Sequence, residues 1–169
     1  ITVGQSGDTI SIPSGATLSN QGTTVPTSFG KIGQVKSVNL STATTYNNSS
    51  FTDIAGLSLS ITPSATGSKI LIMSSLSYSY DDSGENRIYF QIVRDSTSVM
   101  ITSGAFDTNV DSAHLSTTTP LFLDSPNTTS AVTYKIQGKS TNSSLDIRIS
   151  GNSDSTQTTS TLTLFEVLE

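Results

Sequence analysis

The chain has 169 residues, of which 33% are apolar and 12% charged, and carries a formal net charge of −5. No run of Lys or Arg offers a stripe for phosphate backbones, which argues against a nucleic-acid partner. The longest apolar run, "ILIM" at Ile70–Met73, is far short of the ~20 residues a membrane helix needs, and the absence of cysteine excludes disulfides and thiolate metal sites.

Ser and Thr make up about a third of the chain. So little apolar material would suggest disorder, but disordered chains are usually highly charged and poor in β-branched residues. Here Thr, Val and Ile are plentiful and suit a pleated, half-buried surface.

Residues 1–30 are rich in Gly and Ser, and in "SGDTISIPSGATLSNQGT" the sizeable apolar side chains are only Ile10, Ile12 and Leu18. One copy of such a stretch has too little to bury by itself, and residues 1–30 are expected to be an N-terminal shaft or linker segment. From Gln34 onward the apolar density rises, and residues 31–169 are expected to form a single head domain. "GLSLSITP" sets Leu57, Leu59 and Ile61 against Ser58, Ser60 and Thr62. "AVTYKIQG" and "SLDIRISG" alternate in the same way, which is the period of a strand with one buried face.

Other segments are apolar on both faces. "SKILIMSSLSYSY" keeps Leu76, Tyr78 and Tyr80 on one side after its apolar run. "RIYFQIVRD" sets Ile88, Phe90 and Ile92 against Tyr89 and Val93, and "TLTLFEVLE" sets Leu162 and Leu164 against Phe165 and Val167. A strand apolar on both sides needs two covers, one of them a core and the other a second sheet or subunit. Turn-rich breaks such as "DDSGEN", "DSPNTTS" and "GNSDSTQ" separate roughly eight to ten strands, with no helical stretch, which predicts an all-β antiparallel sandwich of the jelly-roll kind.

"SFTDIAGLSLSITPSATGSKILIMSSLSYS" and the closing "STLTLFEV" resemble the opening and closing strands of head domains in bacteriophage tail-fibre and appendage proteins. "GDTISIPSGATLSN" is similar to a shaft element of phage fibres. Residues 81–160 match in rhythm only. The resemblance implies a jelly roll similar to the C1q/TNF type, a homotrimer, a place on the virion and adhesion to a host-surface glycan or protein. Other virion proteins would then attach at the N-terminal side. Ile10, Ile12, Leu18, Phe165 and Val167 are the expected trimer contacts.

Chemistry is sparse. His114 in "DSAHLSTTTP" is the single histidine, and no G-x-S-x-G elbow accompanies it; a loop or interface position is expected. "DTNVDS", from Asp107 to Ser112, begins like a calcium loop but has Ser112 where Gly is required and Thr118 where Glu is required. "DDSGEN" is expected to be a hairpin turn made by Ser83 and Gly84, flanked by the candidate receptor contacts Tyr78, Tyr80, Asp81, Asp82, Glu85, Asn86 and Arg87. Tyrosine stacks on sugar rings and hydrogen-bonds, and the polar side chains bind hydroxyls. Asp81, Asp82 and Glu85 are also the acids from which a glycosidase pair would be drawn, though so small a head leaves little room for a substrate groove. Tyr89 and Tyr134 read as core. The sequons at Asn39, Asn47, Asn48, Asn127 and Asn142 are chance products of the composition. The expected protein is a non-enzymatic virion fibre head with no cofactor or metal, and a capsid-attached fibre or decoration protein is the second reading.

Overall fold

The computed structural model describes residues 31–81, 86–107, 114–142, 145–151 and 157–168. These residues form eleven strands and no helix. In chain order they are β1 (Lys31–Leu40), β2 (Thr44–Tyr46), β3 (Thr52–Ile61), β4 (Lys69–Asp81), β5 (Asn86–Arg94), β6 (Thr97–Asp107), β7 (His114–Thr118), β8 (Leu121–Asp124), β9 (Val132–Ser140), β10 (Asp146–Ile149) and β11 (Ser160–Leu168). The expected shaft, residues 1–30 with Ile10, Ile12 and Leu18, lies outside the described residues, as do Asp82 and Glu85.

The strands form two antiparallel sheets. The larger runs β1-β11-β4-β10-β2, with β7 and β8 also paired to β4; the smaller runs β3-β9-β5-β6. The long strand β4 accommodates two partners along each edge. Ile70–Met73 pair with β8 on one side and β11 on the other, and Tyr78–Tyr80 pair with β7 and β10. Most connections cross between the sheets, and this strand order is a jelly roll, as the sequence predicts.

The change of partner along β4 falls at Ser77. Its N–H donates to the Ser160 hydroxyl at 3.0 Å and its carbonyl accepts from Ser150 N–H at 2.8 Å. Ser150 takes a positive φ of 62° and its hydroxyl bonds that of Ser160 at 2.9 Å. Backbone groups that lose a ladder partner inside a fold need another, and here the Ser160 hydroxyl and the Ser150 N–H supply it.

The core is filled by alternate residues. On β9 the inward row includes Val132, Tyr134 and Ile136; on β11 it includes Leu162 and Leu164. Each such aliphatic side chain contributes about 1.5–3 kcal/mol by leaving water. On β3 the alternation slips, because the pairing shifts between Asp53 and Ser58 and Gly56 has φ 88°. Such a bulge turns both Ile54 and Leu57 inward although they are three apart.

Two expectations are corrected. The strands on either side of "DDSGEN" do not form a β-hairpin, because β4 belongs to the larger sheet and β5 to the smaller. The tight hairpin is β5–β6, turned at Asp95 with φ 53°. Tyr78 and Tyr80 are core residues, each only 3% exposed. Their parity on β4 is that of Ile70, Ile72 and Leu76, and Tyr78 meets Phe90 of the opposite sheet edge to face, centroids 5.2 Å apart.

Candidate functional site

The outer face of the larger sheet is unusual for a solvated surface. Register places Val35 of β1, Phe165 of β11, Leu71 of β4 and Leu123 of β8 in one cross-strand row. The next row is Ser37, Thr163, Met73 and Leu121, and Ile32 stands opposite Val167 beyond the first. Val35 is 53% exposed, Leu121 56% and Leu123 48%. Of the large apolar side chains exposed among the described residues, all but Ile101 belong to strands of this sheet. A depression of about 310 Å³ opens on the same face between Met73, Pro120, Leu121 and Phe165, with Thr161 and Thr163 at its edge. Contiguous apolar patches of this kind mark surfaces that another molecule covers. Phe165 and Val167, the trimer contacts expected from sequence, both lie half-buried on this face.

The outer face of the smaller sheet has the opposite character. A hydrogen-bonded row crosses all four strands: Ser98 donates to Gln91 Oε1 at 2.9 Å, Gln91 Nε2 donates to Gln137 Oε1, and Gln137 Nε2 donates to Asp53 Oδ1. Lys135 Nζ closes the row on Asp53 Oδ2 at 2.7 Å. The hydrogen bonds from Lys135 and Gln137 lower the pKa of Asp53. One row further along, the Lys139 ammonium sits 4.7 Å from the ring centre of Phe51 and 5.3 Å from that of Tyr89. Tyr89 is therefore an outward, half-buried residue opposite Lys139 rather than a core residue. Tyr134 is fully buried, as expected.

Two buried polar assemblies tie the layers together. Arg94 Nη1 of β5 and the Tyr134 hydroxyl of β9 both donate to Asp124 Oδ2 of β8, each at 2.6 Å. Burial first, and then the hydrogen bond to Asp124, push the Tyr134 hydroxyl well above its ordinary pKa. Glu166 of β11 is 1% exposed. Burial pushes its pKa up, but hydrogen bonds from Gln34 Nε2 at 2.8 Å and from the Ser64 N–H and hydroxyl at 2.6 and 2.7 Å outweigh it and hold the carboxyl at about 2. The buried Ser68 hydroxyl favours the charge as well, without reaching hydrogen-bonding geometry. Both are fully explained as structural braces.

The receptor contacts expected around "DDSGEN" are only partly brought together. Tyr78 and Tyr80 are internal, Asp82 and Glu85 lie outside the described residues, and Asp81 and Asn86 take part in backbone pairing with Asp146 and Asp107. Arg87 is exposed on β5. His114 opens β7 opposite Tyr80, so it is a strand residue rather than a loop residue. Residues 108–113 of the rejected calcium loop are outside the described residues. Phe51, Lys139 and Glu166 were not singled out from sequence. The parity Leu162, Leu164, Glu166 does signal an inward carboxylate, whereas nothing local ties Phe51 to Lys139.

No protein-family model matches the chain, and no curated protein matches it in sequence. Among solved structures it has a weak likeness to particle proteins of infectious bursal disease virus. For the Gt strain the TM-score is 0.38 at 13% identity, covering 80% of this chain and 38% of that one. For the VP2 subviral particle it is 0.40 at 12% identity, covering 89% and 41%. This chain thus spans about two fifths of the length of those proteins.

Proposed function

We propose that this chain is the non-enzymatic head of a virion fibre or surface appendage, which assembles as a homotrimer and adheres to a host-surface glycan or protein. The apolar outer face of the larger sheet carries this reading. Val35, Phe165, Leu71 and Leu123 form a row that would stay wet in an isolated chain, and burying apolar area contributes about 25 cal/mol per Å². Two further observations support it. The segments that resemble phage fibre heads fall on β3, β4 and β11, and the latter two are the central neighbours beneath that face. The hydrogen-bonded row of Ser98, Gln91, Gln137 and Asp53 on the outer face of the smaller sheet suits a surface that remains in water. Three copies would present three identical adhesive surfaces, so that weak contacts add through avidity.

Sedimentation of the purified chain at micromolar concentration tests the assembly. A species with three times the mass of one chain is expected, and Phe165→Glu with Leu123→Glu should convert it to a folded monomer with an unchanged β-sheet circular dichroism spectrum. A wild-type monomer at that concentration overturns the assembly. Failure of the assembled protein to bind susceptible cells or to compete with infection overturns the adhesive role.

A further inference from the structure

We infer that Lys139, Phe51 and Tyr89 form a binding site for a carboxylated sugar on the outer face of the smaller sheet, an inference that rests on the proposed adhesive role and locates it. The three residues lie in one cross-strand row: Tyr89 is the register partner of Lys139, and Phe51 immediately precedes Thr52, which pairs with Gly138. The ammonium is held between two rings at 4.7 and 5.3 Å. Among the described residues no carboxylate faces it, unlike Lys135, which Asp53 neutralises at 2.7 Å.

A cation held on aromatic faces is already positioned and partly desolvated, and it keeps donors free for an incoming anion. The aromatic groups beside it suit the C–H face of a pyranose, and the Tyr89 hydroxyl can bond a sugar hydroxyl. A pyranose bearing its own carboxylate matches both features at once. A polyol phosphate carries charge but has no ring to lie against the aromatic groups. The chain carries a net charge of −5, so this cationic and aromatic row differs in sign from the average surface and suits an anionic ligand.

Titration calorimetry of the intact chain with short oligogalacturonate tests the site, with maltohexaose and poly(glycerol phosphate) in parallel. Oligogalacturonate should bind, more weakly as salt is raised, and maltohexaose should not. Lys139→Gln should weaken binding roughly tenfold or more, while Lys139→Arg should stay within about threefold because guanidinium also stacks on rings. Thermal unfolding of each variant confirms that the fold is retained, and Lys135→Gln on the same face should bind like wild type. Equal binding by Lys139→Gln, a preference for the phosphate polymer, or no binding of oligogalacturonate overturns the site. Sedimentation of the same samples keeps the two readings apart. A trimer that ignores oligogalacturonate overturns the site and leaves the proposed assembly, whereas a monomer that binds it does the reverse.

Discussion

Glu166 occupies a position where the alternation of β11 would place another leucine. It remains charged because three donors from β1 and the β3–β4 connection converge on it. Its folded pKa of about 2 lies below the ordinary 4.5, so its contribution is complete above pH ~4.5 and is lost as pH falls toward 2. Chemical denaturation between pH 7 and pH 2 should therefore show stability falling across that window. Glu166→Gln should cost about 1–3 kcal/mol at pH 7 and flatten the profile. Tyr46 presents the converse case. Its hydroxyl is buried without a hydrogen-bond partner, and burial raises its pKa far above the usual value. Tyr46→Phe should be neutral or stabilising by up to about 1 kcal/mol in thermal unfolding. The ring lies directly over Gly138, where any added Cβ would collide with the hydroxyl. Gly138→Ala should then cost on the order of 1–3 kcal/mol.

At the level of strands, the period of two was legible on β9, β10 and β11, though not through the bulge on β3. Val132, Tyr134 and Ile136 face inward, and so do Leu145, Ile147 and Ile149, as their spacing demands. Which strands become neighbours was not legible. "DDSGEN" has the composition of a hairpin turn, yet its flanking strands enter different sheets, because a β4 already paired on both edges has no edge left for β5. That same arrangement puts Tyr78 and Tyr80 inside. Their alternation with Ser77 and Ser79 marked one face of a strand, and composition alone could not say that this face was the core. The Arg94–Asp124–Tyr134 clasp joins three strands from two sheets. Asp124→Ala would leave a half-buried guanidinium and a buried phenol without their acceptor, and should lower stability by about 2–4 kcal/mol in urea unfolding. Asp124→Asn, which keeps an acceptor oxygen, should cost less.

For the whole molecule, the two outer faces divide the work proposed for it. The larger sheet offers apolar rows suited to a second and third copy, and the smaller sheet offers a bonded polar face with one aromatic and cationic row. If the apolar face drives assembly, association should carry a negative heat-capacity change and should persist in high salt. Isothermal dilution at several temperatures measures this, and a heat-capacity change near zero would argue against an apolar interface. Binding at Lys139 should show the opposite salt response, because it is charge-driven.

Composition and periodicity by themselves determined the class. Too few charges and too many β-branched and hydroxylated residues leave little besides alternating strands, and "TLTLFEVLE" already declared two apolar faces on β11. Phe165 and Val167 were identifiable as outward-facing for this reason, since parity along a strand is a local property. The pairing of strands that share no sequence neighbourhood was decided only by the tertiary structure. It brought Phe51 beside Lys139, turned Glu166 toward Gln34 and Ser64, and drew Tyr78 into the core. Those contacts depend on register between distant segments, and register is settled by the packing of the entire sandwich rather than by any one strand.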